Sequence, residues 1–97
     1  MCLVIKVSGE SLTPLLEEGD FVLMLKVPFF FLSPGDVIAF HHPAYGTMIK
    51  LIEWKSQKEG LVFAVGTHPL STDSRTFGPI PKGDIIGKVI WRVRKPG

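Results

Sequence analysis

Residues 33–55 read Ser33-Pro34-Gly35-Asp36-Val37-Ile38-Ala39-Phe40-His41-His42-Pro43-Ala44-Tyr45-Gly46-Thr47-Met48-Ile49-Lys50-Leu51-Ile52-Glu53-Trp54-Lys55. Two runs of β-formers, Asp36 to His41 and Met48 to Lys55, are opened by the turns Ser33-Pro34-Gly35 and Pro43 to Gly46. Short apolar runs bounded by Gly and Pro suit strands. The same pattern extends outward in both directions. Val4 to Val7 reads as a strand, and so does Asp20 to Val27, where Phe21, Leu23, Leu25 and Val27 share one face at period two. Leu61 to Val65 makes a hairpin with the Met48 strand through the turn Gln57 to Gly60, and Asp84 to Val93 is a closing strand. Glu10 to Glu18 has room for one helical turn or a loop before the turn Gly19-Asp20. Gly66 to Lys82 holds three prolines and two glycines and reads as a long irregular loop. No window keeps a helical period without a Gly or Pro breaking it. The expectation is a single all-β domain over residues 1–97, with about six short strands and one long loop.

Composition narrows the function classes. The 97 residues are 45% hydrophobic, which excludes disorder, and the formal net charge of +2 is too small to argue for nucleic acid. The cluster Trp91-Arg92-Val93-Arg94-Lys95 reads as a solvated strand end, with contact to an anionic lipid or an acidic partner as the alternative. Cys2 is the only cysteine, so no intrachain disulfide forms, which fits a reducing compartment. The longest apolar run, Phe21 to Leu32, is interrupted by Lys26 and Pro28, whereas a spanning helix needs about 20 apolar residues. The residues before the first strand read as no signal peptide, and the expectation is a soluble chain or a soluble domain cut from something longer. The expectation is a chain that is not an integral membrane protein, cytoplasmic or, alternatively, associated with a membrane surface.

Three segments carry chemistry. In Gly9-Glu10-Ser11-Leu12-Thr13-Pro14, Gly9 frees the backbone where a strand ends, and Ser11 sits where the chain turns. A serine on a tight turn presents its hydroxyl and its own N–H to one point, as a nucleophile with an oxyanion donor requires. Lys50 lies mid-strand with Met48, Ile52 and Trp54 expected on its face. Apolar flanks disfavour its charged form, and a fall of about two to three pH units would leave a usable neutral fraction near pH 8. Ser71-Thr72-Asp73-Ser74-Arg75 suits a rigid polar turn, with Asp73 and Arg75 as a charge-assisted pair and Ser71 free to orient an amine. Adjacent His41 and His42 should point to opposite faces, which makes them a poor chelating pair, and His68 lies in the long loop. No metal or other cofactor is expected. The triplet Phe29-Phe30-Phe31 cannot bury all three rings by alternation, so at least one should face outward.

The order of these segments resembles type I signal peptidases and related Ser–Lys peptidases. The family's Ser-Met-x-Pro-Thr-Leu box, followed by Gly-Asp, is matched by Ser11-Leu12-Thr13-Pro14-Leu15-Leu16 and Gly19-Asp20. Gly-Asp-Val-Ile and a later lysine strand are matched by Gly35-Asp36-Val37-Ile38 and Met48-Ile49-Lys50. The last box appears as Ser71 to Arg75, Gly78-Pro79-Ile80-Pro81 and Gly87-Lys88-Val89. That box separates the chain from LexA-like relatives, which share the dyad alone. The resemblance implies a small coiled β fold with a long catalytic loop. It makes Ser11 the nucleophile, Lys50 its general base, Ser71 the residue that positions the amine, and Asp73 with Arg75 the braces of the loop. The protein substrate would present an extended N-terminal segment.

Some positions depart from the family. Leu12 replaces Met, a swap that conserves volume. Gly9 stands where some members carry a serine that donates to the oxyanion. Gly66-Thr67-His68 replaces Gly-Asp-Asn, losing a carboxylate beside the active-site loop. The stretch from Ser71 through Pro81 to Trp91-Arg92 is most similar to the nickel superoxide dismutase maturation proteases, which remove a short N-terminal extension. The rival readings are the catalytic core of a type I signal peptidase, and an inactive peptide-binding module of the same fold.

Overall fold

A computed structural model describes residues 2–6, 21–66 and 72–93, with the side chains of 21–66 and 72–90. Among them lie seven strands: β1 (Cys2–Lys6), β2 (Phe21–Leu25), β3 (Val37–His42), β4 (Gly46–Ser56), β5 (Leu61–Val65), β6 (Ile80–Pro81) and β7 (Ile85–Val93). They form one antiparallel sheet in the order β1-β2-β7-β3-β4-β5-β6. The all-β expectation holds. The stretch expected to be irregular throughout contains the two-residue β6, a four-residue helix α1 (Ser74–Phe77) and a 3-10 turn at Lys82–Asp84. The expected turn from Glu10 to Glu18 lies outside the described residues.

β7 runs between β2 and β3, and Gly87 eases its close approach to β2. A Cβ there would stand 3.2 Å from the Leu25 carbonyl oxygen and 3.3 Å from the Met24 Cβ. A side chain here would force β2 back by a few tenths of an ångström, so glycine suits this close approach.

Direct cross-strand partners project to the same face of a sheet. Ile38 pairs with Lys50 and Phe40 with Met48, so one face of β3 and β4 carries Ile38, Phe40, Met48, Lys50 and Ile52. This face builds the larger core, where Leu32, Ile38, Phe40, Ile52, Val62, Ala64 and Ile80 are buried. The opposite face builds a smaller core from Val22, Met24 and Ala39, with Ile49 and Leu51 against it. In β2 the buried set is Val22 and Met24, while Phe21 and Leu25 of the intervening set are exposed.

Trp54 does not share the face of Lys50, contrary to simple alternation. Ile52 pairs with Ala64 but Trp54 pairs with Phe63, so Glu53 is an extra residue in β4. Such a bulge moves every later side chain to the other face. Trp54 accordingly stacks on Phe63 with ring centroids 5.3 Å apart. Lys55 pairs with Val62 of the larger core.

The Phe triplet forms a 3-10 turn rather than a strand. A three-residue period brings Phe29 and Leu32 to one side, and both pack at the larger core. Phe30 and Phe31 face outward at 64% and 60% exposure. Among the described residues no helix is long and apolar enough to cross a membrane.

Candidate active site

Lys50 sits in mid-β4 on the core face and is 2% exposed. The apolar side chains of its own face flank it, with Ile38 directly across on β3. Burial lowers its pKa from the usual 10.5. The Asp73 carboxylate opposes that fall and the Arg75 guanidinium adds to it. A cation surrounded this way is unusually ready to exist as a free amine, which is what proton abstraction requires.

Asp73 is fully buried and caps α1 by accepting from the Arg75 N–H at 3.0 Å. Its Oδ2 also accepts the Gly66 N–H at 2.8 Å and pairs with the Arg75 Nη2 at 2.6 Å. Burial alone would raise its pKa, yet the hydrogen bonds from the Arg75 side chain and from the Gly66 and Arg75 amides outweigh this and hold it below 3.8. The bond to Asp73 raises the pKa of Arg75 beyond its already high ordinary value. Arg75 Nη2 also donates to the Gly66 carbonyl at 3.5 Å. The acid and base thus grip the N–H and C=O of one residue, as a neighbouring strand would. Gly78 ends α1 at φ 88 and donates its N–H to Ser74 O. That backbone conformation favours glycine.

The structure therefore brings together Lys50, Asp73 and Arg75. Ser11, Gly9 and Ser71 lie outside the described residues, as do Thr67 and His68. His42 serves the hairpin turn. Its Nδ1 accepts the Ala44 and Tyr45 N–H groups at 3.0 and 3.3 Å, and its ring packs on Phe77. His41 is exposed.

Two contacts were not foreseen from the sequence. Asp36 Oδ2 accepts the Ser33 N–H and lies 3.5 Å from Lys88 Nζ, joining the Gly35-Asp36 turn to β7. Ser74, 2% exposed, accepts the Ala64 N–H at 3.0 Å. Its place beside Asp73 was visible, but its partner ten residues back was not.

Comparison with known proteins bears on this arrangement. The family model described as signal peptidase, peptidase S26 matches residues 51–94, which include Asp73, Ser74 and Arg75. That stretch is signal-peptidase-like. The mitochondrial ATP-independent inner membrane protease subunit 1b of Arabidopsis thaliana is 57% identical over 37 residues. The match covers 36% of this chain and 21% of that protein, so the chain spans about a fifth of the length of the curated relative it matches. Both matches are to peptidases and support a signal-peptidase-like peptidase.

Proposed function

We propose that the chain is a serine endopeptidase of the signal-peptidase type, with Ser11 as nucleophile and Lys50 as general base, and that it removes an N-terminal leader or propeptide. The observation that carries this reading is a core-facing lysine of lowered basicity beside a braced Asp73–Arg75 pair. The neutral Lys50 amine takes the proton from the Ser11 hydroxyl as Oγ attacks the scissile carbonyl. The Ser11 N–H donates to the oxyanion, and Ser71 orients the amine. The resulting ammonium returns its proton to the departing amine, and water then hydrolyses the acyl-enzyme.

The similarity around Ser71 to Arg75 and Gly78 to Pro81 favours the precursor of a nickel superoxide dismutase as substrate, with processing in the cytoplasm. The match to an inner membrane protease subunit favours a second reading, leader removal at a membrane surface. Purified protein should be incubated with a precursor carrying its N-terminal extension, and the new N-terminus sequenced. Cleavage by the natural chain and none by Ser11→Ala supports the peptidase. If neither cleaves and a serine-reactive phosphonate leaves Ser11 unlabelled, the chain is a peptide-binding module.

A further inference from the structure

We propose that Ser74 is a positioning residue that holds the Asp73–Arg75 pair in register along β5 and so fixes the surroundings of Lys50. The role of Lys50 rests on the peptidase reading; the coupling does not. Val62 and Ala64 of β5 and Gly66 just past its end are alternate positions along the edge away from β4, and each is satisfied differently. Val62 pairs with Ile80 of β6, and the ladder ends there because β6 has two residues. Ala64 donates its N–H to Ser74 Oγ at 3.0 Å. Gly66 donates to Asp73 Oδ2 at 2.8 Å and accepts from Arg75. Consecutive side chains thus replace a strand along this edge.

Within that set Ser74 is the uncharged, buried link. A serine in the first turn of a helix commonly bonds to its own helix backbone. Here the hydroxyl oxygen accepts from another element instead, at a residue whose partner on β4 is Ile52, the next residue after Lys50 on the core face. Among the described residues the charged groups acting on Lys50 are Asp73 and Arg75, and Glu53 acts on Arg75. The flanking Ile38, Ile52 and Ala64 are apolar. A loop released from β5 would admit water to the amine and move both charges. Lys50 would then titrate closer to an ordinary lysine, and less of it would be neutral at a given pH.

The test compares the natural chain with Ser74→Ala, Ser74→Thr and Ser74→Cys. The Lys50 side chain is titrated by carbon-detected NMR of labelled lysines, assigned with Lys50→Met, and kcat and KM are followed against pH on a precursor peptide. Ser74→Ala should raise the Lys50 midpoint by about half a pH unit or more and lower kcat about tenfold, with KM within about twofold. Ser74→Thr, which keeps the acceptor, should restore both. If Ser74→Ala loses its cooperative thermal transition, Ser74→Cys, similar in size but a weak acceptor, must still raise the midpoint. A folded variant lacking the hydroxyl with an unchanged Lys50 midpoint overturns the proposal. A natural chain with no turnover whose Lys50 midpoint still moves in Ser74→Ala would sink the peptidase reading and leave the coupling standing.

Discussion

Lys50 and Lys55 stand on the same strand and, because of the bulge at Glu53, on the same face, yet they are in different electrostatic settings. Lys55 runs its stem past the Phe29 ring, with Nζ 5.1 Å from the ring centroid. Its amine donates to the Phe29 carbonyl at 3.2 Å and to Gln57 Oε1 at 2.9 Å. It lies near the end of the strand, where a long side chain buries its methylenes and keeps its charge among oxygens. Lys50 is held in the middle of the strand, 2% exposed, under two opposed charges already paired with each other. Strand, residue type and face are shared. Depth and the 72–77 loop make the difference: Lys50 is buried and its basicity lowered, while Lys55 is a packing element.

The strongest way to break this contrast is to remove each amine in turn. Lys50→Ala should lower kcat by about a thousandfold or more, and Lys50→Arg should be equally inactive because guanidinium does not deprotonate. Lys55→Ala should stay within about fivefold of the natural chain. Turnover above about a tenth in Lys50→Ala would show that the two lysines do not differ in kind.

The next test removes the brace. Asp73→Ala leaves the Gly66 N–H without its carboxylate acceptor and takes the counter-charge from Lys50. A loss of about 1–3 kcal/mol in denaturant unfolding is expected, with a fall in kcat. Equal stability would mean that the loop is held by other contacts.

The pH dependence sharpens the comparison further. Activity should rise with pH through one ionisation below 10.5, and a bell centred near pH 6 would point to a histidine base instead. Stability should follow the same group. Between its lowered folded pKa and 10.5 the unfolded chain binds the proton more readily, so stability rises with pH across that window. Below it Lys50 is charged in both states and the cost of burying it is fully felt. Lys50→Met should flatten that slope, measured by denaturant unfolding at a series of pH values. Asp73 gives a slope of the same sign at the acid end: its contribution is present above 3.8 and is lost as pH falls through its lowered folded value.

The smallest effect concerns the Phe turn. Phe30→Ser and Phe31→Ser should raise KM a few-fold and leave Tm unchanged, while Phe29→Ser should lower Tm because its ring packs on the core. Loss of the cooperative transition in all three variants would make the outward rings structural after all.

The strands β3, β4 and β5 were legible because period-two alternation and Gly–Pro turns are local signals. The bulge at Glu53 was not, since nothing in Ile52-Glu53-Trp54 marks a doubled residue, and Trp54 was placed on the wrong face as a result. β6 and α1 are too short to show a period, and both exist by virtue of the β5 edge they cover. Lys50 stood out as a cation within an apolar strand, and Asp73 with Arg75 by their spacing. Ser74 was read as part of a polar turn because its acceptor role depends on an amide in another element. The parts of Ser11, Gly9 and Ser71 were read from a glycine-freed turn, a polar loop and the motifs they match, and these residues lie outside the described ones.

The place of β7 has a consequence for how the chain reaches its native state. Residues 85–93 bridge β2 and β3, which share no ladder of their own. Until that segment leaves the ribosome, the β1–β2 hairpin and the β3–β5 meander are two separate pieces with unpaired edges. Nascent chains ending before residue 85 are therefore expected to associate through those edges, and contacts so distant in sequence should make closure slow. Two fragments divided between β2 and β3 should find each other only when the second carries β7, which would act as the clasp of a split protein.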